Sequence, residues 1–311
     1  MKAIIIHGGV RVYGKLKENP ERIDELKKAV KMGYETLLEG GSALDAVEAS
    51  VRYMEDSPLF NAGYGSSLNI LGEVELDASI MDGKSLRAGA VGGVKGVRHA
   101  ITLARAIMEE TPHILLVGEG ARKFASIIGM EVNEDLVYEA RKELYKAYMK
   151  GVGKKGFPSY LPSPELIRNY LADTVGAVAV DDKGRLAAAT STGGIMMKLP
   201  GRVGDSAIIG AGTYANEAGA CSGTGVGEAA MKVLGAKQVV DLISEGIRPQ
   251  KAVEEVLRRL WEKTKTPFGF IAIDREGNIG YAHSGVGLWY AFSKGGVIEA
   301  GVERRRVKVE E

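Results

Sequence analysis

Asp173-Thr174-Val175-Gly176-Ala177-Val178-Ala179-Val180-Asp181-Asp182-Lys183-Gly184 joins a run of small and β-branched residues to a hairpin turn signal. Residues 175–180 predict a strand buried on both faces, with Thr174 at its mouth. A threonine hydroxyl is a weak nucleophile unless a base sits beside it. Cutting the chain just before Thr174 would supply one, because a free α-amino group has an unperturbed pKa of about 7.7–8.0. Read alone, the plainer account of Thr174 is a β-branched residue that opens a strand. Its surroundings decide between the two.

Composition narrows the field first. The 311 residues are 45% hydrophobic and 26% charged, an ordinary globular mixture with room for one large domain or two smaller ones. A formal net charge of +1 gives no electrostatic case for nucleic acid or an anionic membrane as partner. The single cysteine, Cys221, excludes an internal disulfide framework and fits a reducing, cytoplasmic setting. The apolar run Ala3–Ile6 is too short for a signal segment or a membrane span.

Upstream of Thr174, Ala3–Ile6 predicts a strand running into a His7-Gly8-Gly9 turn. Glu21–Leu38 has apolar residues at helical spacing, and Ser42 with Asp45 caps a second helix over 43–54. A loop over 55–65 leads to a hairpin of 67–70 with 74–81, then a strand of small residues over 88–94. Residues 99–109 predict a helix, 114–117 a strand, and 121–128 and 133–150 two further helices. Three glycines and three prolines make 151–164 a flexible linker just ahead of the Asp173–Thr174 bond. Such a segment would let a newly cut end move away.

Downstream the order reverses, strands before helices. Residues 175–180 pair with 186–190, and 206–214 predict another strand. Helices follow over 227–243 and 249–263, then hairpins of 268–273 with 279–283 and of 288–292 with 297–300; the charged tail 303–311 faces solvent. Clustered helices and dominant hairpins exclude a TIM barrel and a doubly wound sheet. Two sheets face to face, with helix pairs outside, fit best.

Three downstream loops embed polar residues in glycine: Thr190–Gly194, Gly201–Ser206 and Ser222–Glu228. Each reads singly as a turn, and Arg202 with Asp205 reads singly as a surface ion pair. Together they supply what hydrolysis of an amide on an amino acid needs. An arginine can grip an α-carboxylate bidentately and an aspartate can hold the ammonium. Backbone N–H groups near Gly225, with the Thr224 hydroxyl, can stabilise a tetrahedral oxyanion. Thr192 can hydrogen-bond the nucleophile.

At this point the chain resembles the plant-type L-asparaginase/isoaspartyl peptidase family of N-terminal-nucleophile hydrolases. The likeness runs through His7-Gly8-Gly9, Pro58–Gly63, Glu75–Gly83, Ala88–Val91, Thr174–Ala179, Thr190–Gly194, Gly201–Ser206 and Gly223–Gly225. It implies an α+β fold, a four-layer αββα sandwich, built as a single hydrolase domain. It implies self-cleavage into residues 1–173 and 174–311 at Asp173–Thr174, beside His7 and Gly8. Thr174 would then open L-asparagine or the isopeptide bond of a β-aspartyl dipeptide through an acyl-enzyme. Matching positions give Thr192 as support for the nucleophile, Arg202 for the α-carboxylate, and Asp205 with the Gly227 carbonyl for the α-amine. Thr224 and the Gly225 N–H form the oxyanion hole, and Asn61 lies beside the nucleophile. No catalytic cofactor is implied. Backbone carbonyls of Met54, Glu55, Ser57, Phe60, Ala62 and Tyr64 would coordinate a structural sodium ion, and the mature form would be a homodimer of αβ units.

The chain departs from the pattern at two places. Asp173 stands where plant-type members commonly have Gly, so the Asp-Thr bond resembles that of glycosylasparaginases. Its carboxylate is a candidate base for deprotonating Thr174 during self-cleavage. Val10 stands where Ala or Gly is usual, which bears on processing. Rival readings remain: a glycosylasparaginase-like or protein-cleaving threonine hydrolase of the same fold, or a binding protein for aspartate-like ligands that never cuts. Gly223–Gly227 lacks the ending of a phosphate-binding loop, no Gly-x-Ser-x-Gly elbow is present, and the histidines lack zinc spacing. Cys221 reads as a small buried residue rather than a thiol nucleophile.

Overall fold

A computed structural model describes residues 2–12, 14, 19–152 and 173–308. Its strands are β1 (Ala3–Arg11), β2 (Leu76–Asp82), β3 (Ala88–Val94), β4 (Leu115–Val117), β5 (Val175–Val180), β6 (Leu186–Thr192), β7 (Thr213–Ala215), β8 (Gly219–Gly225), β9 (Phe268–Asp274), β10 (Ile279–His283), β11 (Gly287–Lys294) and β12 (Val297–Glu303). Its helices are α1 (Pro20–Leu38), α2 (Ala43–Asp56), α3 (Ala100–Glu110), α4 (Gly118–Ile127), α5 (Glu139–Val152), α6 (Gly227–Val233), α7 (Gly235–Ser244) and α8 (Pro249–Thr264).

One sheet has eight strands in the order β12-β11-β1-β5-β6-β2-β3-β4; the other has four, β10-β9-β8-β7. Three buried apolar clusters fill the three interfaces between four layers. The first joins Ile4, Ile6, Ala177 and Ala189 of the large sheet to Leu26, Val30 and Val47 of α1 and α2. The second joins Phe268, Phe270 and Ala272 of the small sheet to Val239, Val253 and Leu257 of α7 and α8. The third lies between the sheets and holds Ile5, Val178, Val180, Ile271 and Ile273. Alternate residues of one strand thus face opposite clusters, and β5 is buried along its whole length. This is the αββα sandwich that the sequence leads one to expect.

Local chemistry sets the ends of the helices. Asn19 caps α1 through its side chain, with Pro20 in the first turn. Ser42 and Asp45 form a reciprocal capping box on α2, an arrangement worth about 1 kcal/mol.

The structure corrects several expectations. His7-Gly8-Gly9 is no turn: β1 runs through it to Arg11, with a register shift between His7 and Gly9 on the β11 side. The bulge absorbs one residue and keeps the strand in the sheet. Residues 206–214 are not one strand but a 3-10 turn at Asp205–Ala207 and the short β7. The glycine-rich 222–225, read as loop, is the end of β8, and 190–192 the end of β6. The helix expected over 227–243 breaks at Leu234, which takes φ 52° between α6 and α7. The helix expected over 133–150 begins at Glu139 and extends to Val152. Of the linker expected over 151–164, residues 151 and 152 therefore belong to α5, and the rest lies outside the described residues. In the tail, Val307 is buried and its N–H bonds the His283 carbonyl.

Candidate active site

Pairing of Val175 with Ser191 in the β5–β6 ladder sets Thr174 across from Thr192. The Thr174 hydroxyl donates to the Thr192 hydroxyl at 3.3 Å, and both residues are buried. Thr192 Oγ1 also accepts the Gly194 N–H at 3.0 Å, which fixes its orientation. Asn61 then holds the turn after Thr192: its Nδ2 donates to the Gly194 carbonyl at 2.6 Å, and its own carbonyl accepts the Gly193 N–H at 2.9 Å. Its Oδ1 accepts the Ser67 N–H at 2.6 Å. Asn61 thus acts through the Gly193-Gly194 turn.

His7 lies opposite Gly176 in the β1–β5 ladder. Its Nδ1 is 3.0 Å from the Thr174 carbonyl oxygen and its Nε2 is 3.0 Å from Ser222 Oγ. Burial lowers its pKa to about 3, against the pull of the bond to Thr174, so the ring is neutral at working pH. A carbonyl only accepts, which assigns the ring proton to Nδ1; Nε2 therefore accepts from the Ser222 hydroxyl. Ser222 in turn is 2.7 Å from Thr190 Oγ1, and Thr213 Oγ1 donates to Thr190 Oγ1 at 2.6 Å. Gly176 leaves room for this chain: a Cβ there would lie 2.4 Å from His7 Nε2 and 2.0 Å from Ser222 Oγ.

The residue before the nucleophile is clasped from α1. Arg22 Nη1 donates to Asp173 Oδ2 at 3.1 Å, and its Nη2 donates to the Gly8 carbonyl. The guanidinium lies 5.3 Å from the Phe60 ring centroid and 5.2 Å from that of Trp289. Gly9, at φ 112°, passes against Asp173, where a Cβ would come within 2.8 Å of the Asp173 Cα. Asp173 therefore faces a guanidinium rather than standing free as a base.

The third group lies where β2 meets the loop before the 3-10 turn. Asp77 Oδ1 accepts the Gly93 N–H and its Oδ2 accepts the Gly204 N–H, each at 2.9 Å, which anchors the Arg202–Asp205 segment. Asp205 is buried, and among the described residues its Oδ2 has no hydrogen-bond partner. Burial raises its pKa to about 7, against the nearby Arg202 charge. A Cβ on Gly227 would come within 2.6 Å of Asp205 Oδ1, so a side chain there would obstruct the carboxylate. Arg202 departs from the expected bidentate grip on a ligand. Its Nε and Nη2 each donate at 2.9 Å to the two oxygens of Glu228, leaving Nη1 toward Gly194 and Gly204. Thr224 Oγ1 accepts the Val10 N–H at 3.3 Å, and Gly225 ends β8 at φ 149° against Phe268. Burial raises the Cys221 thiol well above its ordinary pKa, which makes it a poor nucleophile.

The Met54–Tyr64 segment abuts the same turn. The Glu55 carboxyl, raised to about 8 by burial, accepts from Ser191 Oγ at 2.5 Å and from the Ile101 N–H at 3.1 Å. Gly63 and Gly65 admit backbone oxygens closely: a Cβ on either would lie 2.2 Å from the Glu55 carbonyl or 2.1 Å from that of Phe60. Among the described residues no group of three His, Cys, Asp or Glu side chains is placed to hold a metal. No helix of the described residues is long and apolar enough to cross a membrane.

The structure thus joins Thr174 directly to Thr192 and His7, Asn61 to Thr192 through the Gly193-Gly194 turn, and Asp173 to Gly8 through Arg22, and it gathers Arg202, Asp205 and Gly227 in a second cluster. Arg22, Asp77, Ser222 and Glu228 carried no assigned role in the sequence. Arg22 had a signal: it falls four residues before Leu26, on the buried stripe of α1.

Comparison with known proteins follows the same lines. The asparaginase family model matches residues 1–302. The chain is similar to the plant-type L-asparaginase of Pyrococcus furiosus, 45% identical over 304 residues, covering 96% of this chain and 98% of that protein. The plant-type L-asparaginase of Thermococcus kodakarensis gives the same identity and coverage. The isoaspartyl peptidase/L-asparaginase of Bos taurus is 40% identical over 305 residues, covering 96% of each chain.

Proposed function

This chain belongs to the asparaginase family, and we propose that it converts L-asparagine to L-aspartate and ammonia and hydrolyses β-aspartyl dipeptides, after cutting itself between Asp173 and Thr174. The observation that carries the reading is the contact of the Thr174 and Thr192 hydroxyls at the buried mouth of β5.

In self-cleavage the Thr174 Oγ adds to the Asp173 carbonyl carbon. The C–N bond breaks, its nitrogen takes the hydroxyl proton, and an ester joins Asp173 to Thr174. Water splits that ester, giving an Asp173 carboxylate and restoring the hydroxyl. Residues 1–173 and 174–311 remain one folded hydrolase domain. The freed α-amine becomes the base for its own hydroxyl. A substrate places its ammonium on Asp205 and its α-carboxylate toward Arg202 Nη1. Thr174 attacks the side-chain carbonyl, with Thr192 orienting the hydroxyl. Thr224 and the Gly225 N–H receive the oxyanion, where one donor is worth about 10²–10³ in kcat. Ammonia or an amino acid leaves, and water releases aspartate.

The carbonyls of Met54, Glu55, Ser57, Phe60, Ala62 and Tyr64 offer oxygen-only donors, which suit a hard cation such as sodium. Such an ion would brace the loop behind Asn61 and take no chemical step. A melt with sodium replaced by choline tests it: an unchanged Tm counts against the ion. Sedimentation tests the homodimer, and cell fractionation the cytoplasmic setting.

Thr174→Ala is the decisive variant. The wild-type chain yields two fragments by intact mass, the second beginning Thr-Val-Gly-Ala, and the variant yields one chain without asparaginase or dipeptidase activity. A variant that still cuts or hydrolyses removes Thr174 from its role.

A further inference from the structure

Arg22 is a buried cation between the Phe60 and Trp289 rings, and both of its terminal nitrogens are spent on the scissile region. One holds the side chain of Asp173, whose carbonyl carbon is the one attacked. The other holds the carbonyl of Gly8, whose neighbour Gly9 lies against the Asp173 Cα. The side chains of the Arg22–Asp173 pair are 10% and 4% exposed, so the bond is screened little by water or salt. Arg22 lies on α1 and Gly8 on β1, and Asp173 stands two residues before β5.

We propose that Arg22 is a positioning residue for self-cleavage: its guanidinium fixes the Asp173 side chain to the Gly8 carbonyl and so holds the scissile carbonyl against the Thr174 hydroxyl. The Asp173 carboxylate is thereby an anchor and not the base that deprotonates Thr174. The inference rests on the self-cleavage reading. It also accounts for an aspartate at a position where bulk and charge crowd Gly9: the buried arginine needs a counter-charge there.

The test is the time course of cutting, followed by intact mass on freshly made wild type, Arg22→Met, Arg22→Lys, Asp173→Asn and the Arg22→Met/Asp173→Asn double variant. A small misplacement of reacting groups costs on the order of 10²-fold, so Arg22→Met is expected to slow cutting by about that factor. Arg22→Lys recovers part of the loss, because an ammonium reaches one of the two acceptors. Asp173→Asn slows cutting less, because its amide oxygen still accepts from Arg22. The double variant is no slower than Arg22→Met, since once Arg22 is gone the Asp173 side chain has no clasp left to weaken. It also removes both charges of the pair together, while Arg141, the other buried arginine that feels Asp173, loses the repulsion of Arg22 along with that attraction and keeps its bond to the Gly65 carbonyl. Three results overturn the proposal: Arg22→Met cutting at the wild-type rate, losses that multiply in the double variant, or Asp173→Asn stopping the cut while Arg22→Met does not. The last would make the carboxylate the base. A wild-type chain that never cuts removes the premise instead, and the control shows it directly.

Discussion

Asp173 and Asp205 are both buried, but the chain treats them in opposite ways. Asp173 meets a guanidinium at 3.1 Å and is held from α1. Asp205 has Arg202 nearby, yet that arginine gives its fork to Glu228, and Asp205 Oδ2 is left without a hydrogen bond among the described residues. A buried acid with one oxygen unpartnered is costly to ionise, and burial raises its pKa to about 7. One region has completed its electrostatics within the chain. The other is complete only when a cation arrives, and the α-ammonium of an amino acid is such a cation. On the proposed function, the contrast separates self-cutting, which would use the first region, from substrate capture, which would use the second.

Three experiments press on that separation. The largest effect is expected from Asp205→Ala. Losing a charge-assisted bond to the ammonium raises KM for L-asparagine about 10–100-fold, while intact mass still shows the cut. Failure to cut would merge the two regions. Next is the pH dependence of KM. The Asp205 carboxylate is the form that holds an ammonium, so KM falls as pH rises through about 7. At pH 6 about one-tenth of a group with that pKa is ionised, which predicts a KM about tenfold above its plateau. The same raised value sets the sign for stability. The contribution is present below the ordinary carboxylate pKa of 3.8 and is lost as pH rises through about 7. His7, neutral above about 3, adds no break to KM between pH 6 and 8; on stability its lowered value works the other way, raising it as pH climbs from about 3 to 6.5. A KM flat from pH 6 to 8 would assign the ammonium to another group. The smallest effect is expected from Glu228→Gln. Glu228 is 47% exposed, so solvent screens its pair with Arg202. Freeing the fork changes KM about two- to fivefold, and a larger change would make Glu228 part of the ligand contact.

How far the chain could be read without coordinates differs between its two sheets for a physical reason. β5 is legible because Val, Ala and a following turn signal mark a strand covered on both faces. β8, Gly219-Ala220-Cys221-Ser222-Gly223-Thr224-Gly225, carries no apolar period, and from Ser222 onward it reads as loop. It is a buried strand because its glycines admit Phe268 and Phe270 closely, and Ser222 finds partners in His7 and Thr190. Those partners come from distant chain segments, so local pattern could not reveal them. The break at Leu234 escaped for a similar reason: the Ala236 and Lys237 N–H groups at the start of α7 bond the carbonyls of Ala211 and Gly210, distant in the chain, and a leucine's own preference does not announce positive φ. In the site, Thr174, Thr192, Arg202 and Asp205 were visible as residue types set in glycine. Arg22, Asp77 and Glu228 were not, because each acts by holding a group far away in sequence.

The strand order has a consequence for the cut itself. β1 precedes Thr174, yet it lies between β11 and β5, which both follow it; β2 likewise borders β6. The two pieces interleave like the fingers of clasped hands. Breaking the Asp173–Thr174 bond severs the polymer without freeing either half, because parting them means stripping backbone hydrogen bonds from both edges of β1. If the chain cuts itself as proposed, covalent continuity would serve to build the molecule and be dispensable afterwards. The native state of the cut protein would then be reached only through the uncut chain, and denatured fragments mixed together would reassemble poorly or not at all.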